Sequence, residues 1–264
     1  MKFMITEITS AALIALSGLM PVKTQDLNAK EPALRSGVVQ VKDNDRTRDF
    51  CGAPKTKIAV NPKSKPVKYD FSKTYADIQH QASGTVNPYG FENVTFTNGY
   101  MQGQISYKLN ATLNGKGMPR NDGNCLWYEK INVDFHLEPL IVIAKEVRED
   151  KCMFKAVREH ELKHVRVDRQ IVNRYSRIIA KRLYEGLKQR GFVVSHIRTH
   201  NIDSTKQRME KTIKQILDLE FKELEITRAR LQQKVDSLEE YKRVQAKCPD
   251  FSPPQSAIDA MTGN

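Results

Sequence analysis

Residues 152–189 read CMFKAVREHELKHVRVDRQIVNRYSRIIAKRLYEGLKQ, and this stretch has a helical period from end to end. Its apolar side chains recur at spacings of three, four and seven residues, or sums of these, as one buried stripe requires. These are Phe154, Val157, Val165, Val172, Tyr175, Ile179, Leu183 and Leu187. Gly191 follows at a position that suits a C-cap glycine. We therefore predict one long helix from about residue 152 to about residue 189.

The segment that precedes this helix has the period of strands. Residues 105–111 and 131–137 alternate apolar and polar side chains, and residues 140–144 form a short apolar run. Asn and Gly residues at 114–117 and 121–124 are turn signals that flank the second of these strands. We expect three to five antiparallel strands between residues 69 and 146, and a short helix near residues 75–82.

A second long helix is predicted after the first one. It opens at Asp203-Ser204, runs to about Ala246 and ends before Cys248-Pro249. Six apolar residues follow a 4-3 alternation of about three heptads, interrupted by Arg228, which is the pattern of a coiled-coil seam. They are Leu217, Phe221, Leu224, Leu231, Val235 and Leu238. The seam packs either on the first helix or on a second copy of the chain, and we favour the first arrangement, a monomer.

These patterns together predict an α+β fold. A small antiparallel sheet packs on the long helix of residues 152–189, and the second long helix forms a helical hairpin with it. Residues 23–68 are polar and rich in proline, so we expect a flexible linker with one short edge strand at residues 38–41. Residues 248–264 are predicted to be a loose tail.

The N-terminal residues 1–22 have the features of a signal peptide. Lys2 precedes the apolar run of residues 11–20, which is too short to cross a bilayer. We therefore expect a periplasmic or secreted protein, with a buried N-terminal helix as the alternative.

Four cysteines suit such an oxidising compartment and allow three pairings. We expect Cys125–Cys152, which would join the strand region to the start of the long helix, and by elimination Cys51–Cys248.

The formal charge of +12 makes the chain basic. An anionic surface of the cell envelope is one partner that this charge could attract, although Lys and Arg also simply solvate long helices. The sequence has neither a glycine-rich phosphate loop nor an aromatic RNA-binding signature. Nucleic acid is therefore not an expected partner.

The long helix contains the pattern HExxH at residues 160–164. His160 and His164 are one turn apart on the same helix face, so both imidazoles can reach one Zn²⁺ ion. Glu161 lies close enough to such an ion to act as general base on a water molecule. The motif predicts a zinc site with His160 and His164 as ligands and Glu161 as the catalytic residue.

With this motif the sequence resembles the zincin metallopeptidases, and more narrowly an uncharacterised family of predicted bacterial secreted zinc-dependent proteases. The resemblance covers residues 69–178 and includes residues 69–72, Gly90-Phe91, Cys125 and residues 159–164. It implies a catalytic domain over residues 69–200, and the helix with the heptad pattern then forms a separate coiled-coil-like segment over residues 201–247. It also implies a peptide or protein substrate, which would pair with a strand near residues 137–144.

One feature departs from the zincin pattern. Arg158, Lys163 and Arg166 stand where zincin helices usually carry uncharged or apolar residues. A degenerate or purely structural metal site therefore remains an alternative.

The third zinc ligand is left open by the sequence. Asp168 shares a face with both histidines but lies about 12 Å along the helix axis from His160. We expect Asp168 instead to accept a hydrogen bond from the free ring nitrogen of His164. Glu185 has a spacing found in glutamate zincins, but no helix break precedes it. The remaining candidates outside the helix are His136, Glu138, His196 and His200, with His80 a weaker one.

The sequence thus predicts zinc-dependent hydrolysis of peptide bonds by an exported protein. One alternative is a non-enzymatic interaction protein that uses a basic helical hairpin at the cell envelope. The other is a zinc hydrolase that acts on amides outside proteins, such as cell-wall peptides.

Overall fold

The computed structural model describes residues 33–40, 51, 55–82, 97–118, 123–255 and 258–259, without the side chains of residues 79–82. The predicted signal peptide (residues 1–22), much of the predicted linker and tail, and the Gly90-Phe91 turn lie outside the described residues.

The described part of the chain is mixed α/β, with one sheet and long helices. The strands are β1 (Gly37–Gln40), β2 (Lys57–Ser64), β3 (Lys68–Asp70), β4 (Gly99–Gly117), β5 (Asn124–Ile143) and β6 (Val193–Ile197). The helices are α1 (Tyr75–Ala82), α2 (Lys145–Glu149), α3 (Lys151–Arg190), α4 (Ile202–Val235) and α5 (Leu238–Ala246). A short 3-10 turn, Thr199–Asn201, precedes α4.

The sheet is built around β5, whose alternating side chains Ile131, Val133, Phe135 and Leu137 are buried on one face. β4 pairs antiparallel with the whole length of β5. The other side of β5 pairs with three short strands in turn, antiparallel β6 and then parallel β2 and β3. The predicted sheet was antiparallel only, so the parallel pairs correct that prediction. The predicted strands at residues 105–111 and 131–137 lie within β4 and β5, and α1 lies where the short helix was expected.

Strand β2 corrects the linker prediction for residues 57–64. Ile58 and Val60 are completely buried, since β2 lies between β1 and β5. The local sequence gave little sign of this, because two prolines and three lysines surround a short apolar run. β1 pairs with β2 alone, as an edge strand.

Helix α3 agrees closely with the helix predicted for residues 152–189. Asp150 caps its N-terminus by accepting a hydrogen bond from the backbone N–H of Met153 at 2.7 Å. Gly191 ends it with φ 91°, a conformation that favours glycine.

Helix α4 runs antiparallel along α3. Arg182 on α3 contacts Glu220 on α4, and His164, about five turns closer to the α3 N-terminus, contacts Asp236 at the α4 C-terminus. Leu217 and Leu224 of the predicted seam are buried. The predicted helix of residues 203–246 is broken, however, because α4 ends at Val235 and α5 begins at Leu238.

The disulfides are Cys51–Cys125 and Cys152–Cys248, so both predicted pairs, Cys125–Cys152 and Cys51–Cys248, are wrong. Cys125 lies at the beginning of β5, whereas Cys152 follows the end of that 20-residue strand. Because a strand extends about 3.3 Å per residue, β5 separates the two thiols. Two disulfides are consistent with an exported protein. Among the described residues, no helix is both long enough and apolar enough to span a bilayer.

Candidate metal centre

Helix α3 places His160 and His164 side by side in the interior. Their side chains lie one helical turn apart, and the two residues are only 6% and 7% exposed. The Nε2 atoms of the two rings are 3.3 Å apart. The structure therefore brings together the two histidines that the HExxH pattern singled out.

A third side chain, that of Asp236, lies beside the two histidines, at the break between α4 and α5. Its Oδ1 atom lies 3.3 Å from His160 Nε2 and 3.0 Å from His164 Nε2. Together the two buried histidines and the half-buried Asp236 form a group that could bind a metal ion. Sequence reasoning missed Asp236, because it lies 72 residues after His164 and inside what was predicted as one continuous helix.

A signal for this break is present in the sequence. Ser237 and Glu240 have the S-x-x-E spacing of a capping box. The Ser237 hydroxyl accepts a hydrogen bond from the Glu240 backbone N–H at 3.2 Å and caps α5. The capping box therefore marks the start of a new helix directly after Asp236.

The other ring nitrogens of both histidines contact oxygen atoms. His164 Nδ1 lies 2.5 Å from Gln232 Oε1, and His160 Nδ1 lies 3.3 Å from Glu240 Oε1. Glu240 also accepts hydrogen bonds from Lys163 at 2.7 Å and from Arg243. Because an oxygen atom can only accept a hydrogen bond from the ring, Nδ1 of each histidine carries a proton. The Nε2 atom of each ring is then the one that faces Asp236.

The electrostatics of the group favour positive charge between its members. Burial alone would lower the pKa of His160, but hydrogen bonds to Asp236 and Glu240 outweigh it and raise the pKa to about 9. The pKa of His164 is also raised, since Asp236 and Glu161 outweigh its burial. Conversely, the two histidines hold the pKa of the Asp236 carboxyl well below its ordinary range, against the effect of burial. A site that attracts protons in this way also suits a metal cation.

Glu161 is buried beside this group, with 3% exposure. The backbone N–H of Met101 on β4 donates a hydrogen bond to its carboxylate. Its Oε2 atom is buried and has no hydrogen-bond partner among the described residues. Burial raises the pKa of Glu161, and the neighbouring His164 and His160 offset part of that effect. Because an unsatisfied buried oxygen is costly, Oε2 is suited to receive a water molecule or a substrate group.

Asp168 is completely buried but is not a member of the group. It accepts hydrogen bonds from Arg228 Nε at 2.8 Å, from Arg228 Nη2 at 2.9 Å and from Gln232 Nε2 at 2.6 Å. The prediction that Asp168 bonds directly to His164 is wrong, because Gln232 of α4 lies between them.

The other ligand candidates also lie outside the group. Glu185 pairs with Lys181 and Arg182 on the exposed side of α3, and Glu138 pairs with Lys65. His136 alternates with buried neighbours on β5 and so projects from the other face of the sheet. His196 lies in β6 and His200 lies in the 3-10 turn, and both residues are exposed. The His80 side chain lies outside the described part of the structure.

The strand predicted to bind substrate, residues 137–144, is not an edge. β4 pairs with one side of β5 over residues 137–143, and β3 pairs with the other side over residues 140–142. An extended peptide therefore has no free hydrogen-bonding edge there, and this part of the zincin analogy is wrong.

Comparisons of the chain with protein-family models, with curated proteins and with solved structures give no match. The resemblance to zincins therefore stays a prediction from the sequence.

Proposed function

We propose that this protein is an exported zinc-dependent hydrolase of peptide bonds. His160, His164 and Asp236 would hold the zinc ion, and Glu161 would act as general base. The observation that carries the proposal is the convergence of two imidazole nitrogens and one carboxylate oxygen beside the unpartnered Oε2 atom of Glu161.

The donor set and its dimensions are compatible with zinc. Zinc bound at about 2.0–2.1 Å in a tetrahedron has ligand atoms about 3.3 Å apart. The three donor atoms here are separated by 3.0 to 3.3 Å. Three protein ligands that leave a fourth position open are also typical of catalytic zinc sites.

Glu161 has the properties that the general base requires. When bound, zinc would supply a Lewis acid that polarises the substrate carbonyl and lowers the pKa of water. Glu161 would accept a proton from the attacking water through its free oxygen and pass it to the leaving amine. The Met101 N–H would keep the carboxylate in place. The raised pKa of Glu161 brings it closer to neutral pH, where a base of this kind is most effective.

A second candidate is a structural metal site in a non-enzymatic protein. The observation that favours it is that side chains of α5 lie over the site. Glu240 contacts His160, and the Tyr241 ring lies 5.8 Å from the His160 ring. In that case the ion would join α3 to the α4–α5 junction, and the basic helical surface would bind an anionic partner at the envelope.

Metal binding is tested first. Elemental analysis of the purified protein should find one zinc ion per chain. Asp236→Asn should weaken zinc affinity by more than about 100-fold, because removing a zinc ligand should cost more affinity than removing a residue that only hydrogen-bonds to a ligand. Glu239→Gln, an equivalent change at an exposed residue of α5, is the matched control. Absence of zinc, or equal affinity in Asp236→Asn, would contradict the proposed ligand set.

Catalysis is tested separately with Glu161→Gln. This variant should retain zinc but hydrolyse peptides about 100- to 10,000-fold more slowly, the usual contribution of a general base. Peptide substrates and cell-wall fragments should be assayed in parallel, since the proposal does not depend on which amide is preferred. Unchanged hydrolysis in Glu161→Gln, or no hydrolysis by the zinc-loaded protein, would favour the structural site.

A further inference from the structure

We propose that Gln232 is a positioning residue that holds His164 in the tautomer required for metal binding, and that Asp168 and Arg228 hold Gln232 in turn. The inference rests on the metal site of the proposed function but does not depend on hydrolysis. Gln232 lies on α4, whereas the histidine it contacts lies on α3.

The contacts of Gln232 determine the orientation of its amide group. Its Nε2 atom donates to Asp168 Oδ1 at 2.6 Å and to the backbone oxygen of His164 at 3.2 Å. Both amide protons therefore have acceptors on that side. The Oε1 atom must then be the one that faces His164 Nδ1 at 2.5 Å.

This orientation determines which nitrogen of His164 is available to a metal ion. An amide oxygen can only accept a hydrogen bond, so Nδ1 must carry a proton. In a neutral imidazole the lone pair is then on Nε2, which lies 3.0 Å from Asp236 Oδ1. Gln232 thus directs the lone pair of His164 into the group that would hold zinc, as outer partners of metal-bound histidines do.

Asp168 and Arg228 make Gln232 rigid. Asp168 has no exposed surface, and the Arg228 guanidinium binds both of its oxygens, so the buried charge is neutralised by a bidentate pair. Arg228 also donates to the backbone oxygen of Gly103 on β4 at 2.6 Å. The same strand donates the Met101 N–H to Glu161, so β4 positions both the base and, through Arg228, Asp168 and Gln232, a ligand.

The test measures zinc affinity of the metal-depleted full chain by competition with a chelating dye. Gln232→Met keeps the length of the side chain but removes the acceptor, and it should weaken binding by about 10- to 100-fold. Gln232→Asn, which is polar but one methylene shorter, should give a similar loss. Gln233→Met, the same change at the exposed neighbouring residue, should bind zinc like the original protein. Undiminished affinity in both Gln232 variants would overturn the inference.

A second readout separates positioning from a general disturbance of the fold. In imidazole N–H NMR spectra of the zinc-loaded protein, the His164 Nδ1 proton should be protected from exchange. Gln232→Met should remove that protection and leave the His160 signal, whose partner is Glu240, unchanged. Equal changes at both histidines would contradict a positioning role. If the original protein binds no zinc, the proposed function fails; if it binds zinc and the Gln232 variants bind equally well, only this inference fails.

Discussion

Gly103 lies where β4 passes closest to the buried carboxylate of Asp168. A Cβ atom there would overlap Asp168 Oδ2 and would lie 2.9 Å from Arg228 Nη2. Asp168 cannot easily move, because Arg228 and Gln232 hold both of its oxygens. We expect Gly103→Ala to lower the free energy of unfolding by about 1–3 kcal/mol, as overpacking does. Urea denaturation measures this loss.

Gly117→Ala is the matched control for that change. Gly117 lies on the same strand, but the nearest atom to a Cβ there, Asn124 Oδ1, is 3.9 Å away. This variant should be about as stable as the original protein. Similar stability of the two alanine variants would show that the contact between Gly103 and Asp168 does not constrain β4.

At the level of single residues, the sequence identified only those residues of the site that lie close to one another along the chain. His160, Glu161 and His164 were found because their mutual geometry follows from helix pitch alone. Asp236 and Gln232 were missed because antiparallel packing of α4 on α3 brings them there. Asp168 was assigned the wrong partner for the same reason, since no pattern within α3 could indicate that a residue of α4 intervenes.

Among the secondary-structure elements, α3 was predicted within about one residue at each end. Its apolar stripe, its N-terminal start and Gly191 all agree with one another. The strands of the sheet were recognised by their alternation, but their partners were not. The parallel pairing of β2 and β3 with β5 depends on contacts between residues far apart in sequence, which the period of a single strand does not reveal.

The break between α4 and α5 determines where Asp236 lies, so its capping residue is open to test. Ser237→Ala removes the hydrogen bond to the Glu240 N–H and should destabilise the protein by about 1 kcal/mol. It should also weaken zinc affinity, because the adjacent Asp236 would be less firmly held. Thermal unfolding and chelator competition measure the two effects.

Ser237→Asn supplies the control, since asparagine is as good an N-cap as serine. It should retain both stability and zinc affinity. Loss of affinity in the asparagine variant but not in the alanine variant would mean that the cap does not position Asp236.

At the scale of the whole molecule, only one of the two disulfides joins elements that contribute side chains to the candidate metal site. Cys152–Cys248 joins the first turn of α3, eight residues before His160, to the residue that follows the C-cap of α5. It therefore holds in place the helix that carries Glu240. Cys51–Cys125 lies at the beginning of β5, in a separate apolar cluster with Met118.

Serine replacement of each pair should consequently give different results. Loss of either disulfide should cost about 2–5 kcal/mol, because each closes a long loop in the unfolded chain. Only Cys152→Ser/Cys248→Ser should also weaken zinc affinity, because it releases α5 from α3. The contact of Glu240 with His160 and the position of Asp236 beside His160 would then be held less firmly. Zinc affinity is compared at a temperature where both variants remain folded by circular dichroism. An equal loss of affinity in Cys51→Ser/Cys125→Ser would mean that the site depends on the stability of the whole fold, and not on the tether that holds α5 against α3.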